Sequence, residues 1–204
     1  MEYISLGEIR GFFYFYLMQI TGIILAGGKS SRMGTDKALL ELGGITLLEK
    51  AIGLCQSACS SILISSNNPK HRKPDIPLIP DEIENCGPMG GIYSCMKKSL
   101  TDWNFVVSVD SPLVIPEFIG YLISETEDCD VVVPVHSKGK EPLIALYHKQ
   151  CLPEMERMLR SGNFKMHNLF HSVKTKWIDT NEWLVKYPKL FYNINRPEEL
   201  KGSF

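Results

Sequence analysis

The run Ile20–Ala26, apolar except at Thr21 and Gly22, breaks directly into two adjacent glycines, Gly27 and Gly28. It reads as a strand whose end has no side chains in the way. Glycines there let backbone approach a ligand closely. Lys29, Arg32 and Lys37 follow within the same loop. Their charges suit a polyphosphate.

The rest of the chain alternates in kind. Further strands are expected at Ile62–Ser65, Asn104–Val109, Asp130–Val135 and Leu143–Tyr147. Between them lie helical stretches. Thr46 with Glu49 forms a capping box for a helix through Cys59. Gly87–Leu100 reads as loop then helix, and Pro116 opens a helix to about Glu125. Cys151–Leu159 places Leu152, Met155, Met158 and Leu159 on one face, with Gly162 at its C-terminal position. Such alternation predicts an α/β fold with a mostly parallel central sheet between helices. Ligands of such sheets bind beyond the carboxyl ends of the strands. Gly27, Gly28, Ser65 and Asp110 fall there.

Spacing excludes two common phosphate loops. The Walker A pattern would need a glycine where this chain has Ile23, and Gly22 is one residue too far. The dinucleotide fingerprint G-x-G-x-x-G fails because Gly27 and Gly28 are adjacent.

Composition excludes other classes. With 204 residues and 44% hydrophobic content the chain can bury one sizeable core. Its net charge of −1 gives no global field for nucleic acid or an anionic membrane. The six cysteines (55, 59, 86, 95, 129, 151) show no ligand spacing, and reduced core thiols in a cytoplasmic setting are expected. Cys55 and Cys59, one helical turn apart, read as packing. Residues 1–17 are aromatic-rich over Gly11–Leu17. That stretch is shorter than the roughly 20 residues a bilayer span needs. It lacks a signal-peptide cleavage site. They read as a non-essential extension before Met18, leaving 18–204 as one domain.

Read together, Leu25-Ala26-Gly27-Gly28, Ser30, Arg32-Met33-Gly34, Lys37 and Leu39 match the pattern Leu-Ala-Gly-Gly-x-Ser-x-Arg-Met-Gly-x-x-Lys-x-Leu. This resembles the nucleotide-binding signature of the molybdenum cofactor guanylyltransferase family. Pro80-Asp81, Gly87–Gly91, Val109–Pro112, Glu141–Tyr147 and Asn193–Leu200 resemble later family segments in the same order. Ser111 stands where relatives usually carry Thr or Met, and Gly90 where many carry Ala.

The resemblance implies a three-layer α/β/α Rossmann-like nucleotidyltransferase fold. It implies transfer of GMP from GTP to molybdopterin with release of pyrophosphate, and Mg²⁺ as cofactor. Asp110 is the implied metal ligand. Arg32 and Lys37 are the implied charge clamps, catalytic together with Asp110. Leu25, Ala26, Gly27 and Gly28 are implied to hold guanine and ribose, and Asp81 the guanosine. Gly27 in place of the Ala of CTP- and UTP-using relatives favours a purine. Asn193 and Asn195, read as one strand face, suit phosphate or metal-bound water. Asp36 is assigned nothing beyond a local contact with Lys37. The pterin is expected on a basic surface around Lys138, Lys140, Lys165 and His167. Molybdenum-insertion proteins and acceptor molybdoenzymes are implied partners.

Three other readings compete. A cytidylyltransferase could act on the same pterin. A sugar-phosphate nucleotidyltransferase usually has Pro-Lys where this chain has Asp36-Lys37. A non-catalytic GTP-binding chaperone of the cofactor could dispense with Asp110.

Overall fold

In the computed structural model, residues 18–27, 36–194 and 199 are described. The 1–17 segment, Gly28, Lys29, Arg32 and Asn195 lie outside them.

Strand β1 (Ile20–Leu25) is fully buried. Beyond the first loop, a short 3-10 turn (Lys37–Leu39) leads into a hairpin of β2 (Glu41–Leu42) and β3 (Ile45–Thr46). Its turn residues Gly43 and Gly44 both have positive φ, 69° and 83°, as a tight hairpin turn requires. Helix α1 (Leu47–Ala58) starts at the expected capping box: the Glu49 amide donates to Thr46 Oγ1 at 3.1 Å, and the Thr46 amide to the Glu49 carboxylate at 3.0 Å. Then come β4 (Ser61–Ser65), β5 (Leu78–Ile79), α2 (Pro88–Lys98), β6 (Trp103–Ser108) and α3 (Pro116–Ser124). The C-terminal third contributes β7 (Val131–His136), β8 (Gly139–Lys140), β9 (Ile144–His148), α4 (Leu152–Arg160), α5 (Met166–Ser172), β10 (Thr175–Asp179) and α6 (Asn181–Lys186).

The sheet runs β10-β7-β9-β6-β1-β4-β5, with β8 paired to β7. β1 is parallel to β4 and β6, β4 to β5, and β10 to β7. β9 is antiparallel to both β6 and β7. Its reversal has a simple cause. The link from β7 to β9 is a hairpin, too short for the crossover that a parallel strand needs.

Two apolar layers sandwich the sheet. Ile20 and Ile24 of β1 face α1 and α3 (Leu47, Leu48, Phe118, Leu122). Ile23 and Leu25 face α2, α4 and α5 (Met89, Ile92, Met155, Phe170). The α/β/α layering is therefore as expected. Gly22 explains the Cys55/Cys59 pair: a Cβ there would lie 2.8 Å from Cys55 Sγ and 3.1 Å from Cys59 Sγ. The two thiols fill the groove where α1 crosses β1.

Candidate active site

Register fixes the site. Leu25 lies opposite Ser65 of β4 and Ser108 of β6, so three parallel strands end level with one another. Gly27, Ser66 and Asp110 therefore share one rim of the sheet. The amides of Ala26 and Gly27 both donate to the Ser65 carbonyl, at 3.1 and 3.0 Å. The Leu25 carbonyl accepts from Val109 at 3.2 Å. This alters how the glycines can act. The amides of Ala26 and Gly27 hold β4, so a ligand here meets an open backbone surface rather than those two donors. Gly27 is exposed. A Cβ on it would meet Ser65 O and Ser66 Cα only at ordinary contact, 3.5 and 3.6 Å. The fold itself does not demand glycine at 27.

Asp110 follows β6 directly. The next helix begins at Pro116 with Ile115 as its cap, so Asp110 is no helix cap. Its carboxylate faces the ammonium of Lys37 at 3.4 Å. Lys37 Nζ also donates to the Ile194 carbonyl at 2.9 Å. The Ile194 amide donates to the Asp110 carbonyl at 2.8 Å. Ser111 Oγ donates to Asn193 Oδ1 at 2.6 Å. Lys37, Asp110 and Ile194, far apart in sequence, thus meet at one point, and Ser111 holds Asn193, next to Ile194 in the chain. The expected strand at Asn193 is absent: residues 192–194 carry no strand pairing and dock on the β6 end by the bonds just given.

Asp81 stands on the α2 side of the rim. Its Oδ1 lies 3.4 Å from where a Gly91 Cβ would stand. That Cβ would also overlap Ser65 Oγ. Glycine at 91 thus leaves room for both the carboxylate and the hydroxyl. Gly90 is equally constrained, since a Cβ there would lie 3.0 Å from Cys86 Cβ and 3.2 Å from the Ile83 carbonyl. Alanine at 90 would need its neighbours to shift. Burial, with the Glu84 charge adding to it, raises the Asp81 carboxyl above the usual carboxylate range.

Glu141 and His136 were given no role from the sequence. Glu141 Oε1 lies 3.0 Å from His136 Nε2, and the His136 ring stacks on Phe191 at 5.0 Å. Burial raises the Glu141 carboxyl; His136 opposes the rise and the charge of Asp110 adds to it. The only sequence signal was its place in the Glu141-Pro142-Leu143 segment.

The expected basic surface divides between separate elements. Lys140, on β8, covers the Trp177 ring at 3.9 Å. His167, on α5, pairs with His171, Nε2 to Nε2 2.9 Å. Among the described residues no three His, Cys, Asp or Glu side chains converge on a common point. Asp110 is a partly exposed carboxylate at a strand end. That donor set fits Mg²⁺, which takes one or two carboxylates and completes its shell with phosphate oxygens and water. No described helix is long and apolar enough to cross a membrane.

A family model for the MobA-like NTP transferase domain matches residues 22–175. The probable molybdenum cofactor guanylyltransferase of Pelotomaculum thermopropionicum is 31% identical over 187 residues, covering 90% of this chain and 91% of the relative. The molybdenum cofactor guanylyltransferase of Vibrio atlanticus is 34% identical over 186 residues, covering 89% and 94%. Among solved structures, the molybdopterin-guanine dinucleotide biosynthesis protein A of Archaeoglobus fulgidus has a TM-score of 0.75 at 26% identity, covering 89% of this chain and 95% of that one.

Proposed function

The chain belongs to the MobA-like NTP transferase family, and on that premise we propose that it transfers GMP from GTP to the terminal phosphate of molybdopterin, releasing pyrophosphate. The observation that carries the proposal is the meeting of Lys37, Asp110 and the Ile194 carbonyl on the rim that also holds Gly27. A cation beside a carboxylate at the carboxyl ends of parallel strands is an arrangement for polyphosphate, not for a neutral ligand.

The chemistry asks little of acid–base groups. A phosphate monoester has its second pKa at about 6, so the attacking oxygen is already ionised at neutral pH. It forms a bond to the α-phosphorus while the bond to the bridging oxygen of the β-phosphate breaks. Pyrophosphate leaves with that oxygen and its electron pair. The barrier lies in bringing two anions together, so charge neutralisation and alignment do the work. Lys37 supplies a cation to the phosphates, and Arg32 of the same loop is proposed as a second. Asp110 would hold Mg²⁺, which would supply positive charge to offset that of the phosphates. Asn193, oriented by Ser111, presents its amide to the same region, with Asn195 two residues on. Leu25, Ala26, Gly27 and Gly28 form the surface for guanine and ribose. Asp81 accepts from the guanine N–H groups or a ribose hydroxyl. Burial pushes the Cys95 and Cys151 thiols up to about 12, which keeps them protonated and unreactive. Molybdenum-insertion proteins upstream and acceptor molybdoenzymes downstream are the partners of such a reaction.

A nucleotide panel with Mg²⁺ and molybdopterin, read by pyrophosphate release, tests the assignment. GTP is expected to lead. A preference for CTP would overturn it, and nucleotide binding without turnover would favour a chaperone. Gly27→Ala sharpens the test. The fold has room for the methyl, so the melting temperature is expected to stay put. The GTP-over-CTP ratio is expected to fall about tenfold, the usual scale for one misplaced methyl group in a binding pocket.

Asp81→Asn is expected to raise KM for GTP roughly 10- to 100-fold with a smaller change in kcat, since a carboxylate paired with two N–H donors is lost. The linked pH effect has a definite sign. Asp81 has a raised pKa in the fold, so its charged form is disfavoured there. As pH falls, it loses its acceptor capacity earlier than an ordinary carboxyl titrating at about 4. KM for GTP is expected to climb through that interval in the wild type and to stay flat in Asp81→Asn. At neutral pH the variant is expected to melt slightly higher, because Asn removes a partly desolvated charge. A lower melting point with an unchanged KM would remove Asp81 from the site.

A further inference from the structure

We infer that His71, together with Asn68, is a positioning residue for Lys37 that acts through the Asp36 carboxylate; the inference rests on the transferase reading for its kinetic consequence. Asp36 immediately precedes Lys37 and caps its 3-10 turn, Oδ1 accepting from the Ala38 amide at 3.1 Å. That single bond is all a cap requires. The other oxygen does something more. Asp36 Oδ2 accepts from Asn68 Nδ2 at 2.6 Å and lies 2.9 Å from His71 Nε2. Both partners come from the connection after β4, distant in sequence and anchored in the sheet.

The His71 ring is 1% exposed, so its two nitrogens must both find partners. Nδ1 lies 2.7 Å from Ser66 Oγ. Ser66 Oγ in turn accepts from the Asn68 amide at 3.0 Å. The Ser66 hydroxyl proton is then directed to Nδ1, which leaves Nε2–H to donate to Asp36. One neutral tautomer satisfies every member of the chain, assigned here from the network. The result is a relay from the end of β4 (Ser66), through a buried imidazole, to the residue that sets the direction of Lys37. The far end of Lys37 is held at the Ile194 carbonyl. The lysine is therefore fixed at both its root and its tip. Misplacing a catalytic group by about 1 Å can cost 100-fold in rate, so a fixed root is of direct value to a charge clamp.

Two near-isosteric variants separate positioning from packing. His71→Gln places an amide N–H where Nε2 stood and keeps the donor to Asp36, losing Ser66. His71→Asn keeps an acceptor for Ser66 and loses Asp36. Each deletes one buried hydrogen bond, so their melting temperatures are expected to fall alike. Activities are expected to diverge: kcat/KM for GTP falls roughly 10- to 100-fold in His71→Asn and stays within about threefold of wild type in His71→Gln. Equal losses, or losses that follow the melting temperatures, would overturn the inference. A second readout needs no turnover. Lys37 acylation by an N-hydroxysuccinimide ester, mapped by mass spectrometry without nucleotide, is expected to be faster in His71→Asn only. Unchanged Lys37 reactivity in His71→Asn overturns the relay. Failure of the wild type to release pyrophosphate from GTP instead defeats the transferase reading, and the acylation rates then judge the relay alone.

Discussion

Lys37→Ala is expected to lower kcat/KM for GTP by about 10²- to 10³-fold, equivalent to some 3–4 kcal/mol of lost transition-state stabilisation. The size follows from the charges. Two unit charges 4 Å apart interact by about 4 kcal/mol at the effective dielectric of a protein surface. The Lys37 side chain is 22% exposed on the rim where the phosphates would lie, so water screens its charge only in part. The fold should bear the loss. The ion pair with Asp110 is long, 3.4 Å, and partly exposed. Such pairs contribute about 0–1 kcal/mol to stability. The Ile194 carbonyl loses its lysine donor, but the Ile194 amide remains bonded to Asp110, so the docked segment is expected to stay in place. The check is steady-state kinetics beside thermal unfolding. A drop in activity matched by a large drop in melting temperature would mean that Lys37 staples the C-terminal segment rather than neutralising phosphate.

Asp110→Asn is expected to cut kcat about 10²- to 10⁴-fold while the dissociation constant for GTP moves less than about tenfold. Asparagine matches aspartate in shape and leaves untouched the backbone bond to Ile194. It is, however, a poor ligand for a hard divalent cation. It also removes the negative charge facing Lys37, so that ammonium can still meet phosphate. Binding and turnover therefore separate in this variant, whereas Lys37→Ala weakens both. Equilibrium titration with GTP, run beside pyrophosphate release over a range of Mg²⁺ concentrations, reads both quantities. A cofactor chaperone would be indifferent to the substitution. Unchanged turnover in Asp110→Asn would place the metal elsewhere and remove the main argument for catalysis. Combined with Lys37→Ala, the losses are expected to be less than additive, because the two side chains face each other.

Much of the fold was readable where periodicity was strong. β1, α1, β6 and α3 lie within a residue or two of their expected bounds, and the Thr46–Glu49 capping box is formed as read. The β2–β3 hairpin was legible and was missed, since adjacent glycines with positive φ are its usual turn. β10 was not legible in the same way. Thr175–Asp179 is a half-exposed edge strand whose only buried residue is Ile178, so little apolar pattern marks it. In the site, Lys37, Asp81 and Asp110 stand on the expected rim, although their roles rest on the experiments above. From the sequence Asp36 reads only as a local partner of Lys37, and His71 and Glu141 carry no role. Each is an ordinary polar residue in its own segment, and its meaning lies in partners elsewhere in the chain.

The sequence by itself determined that this chain forms a mostly parallel α/β sheet and that its first strand runs into glycines followed by basic residues. Those are local properties, written in apolar period, capping residues and glycine. Only the tertiary structure decided that the Lys37 ammonium rests between Asp110 and Ile194, that the amides of Ala26 and Gly27 are already committed to Ser65, and that a buried imidazole backs the lysine's root. Strand register and the docking of residues 193–194 set those contacts. Both arise from packing between segments far apart in sequence, which no local pattern records.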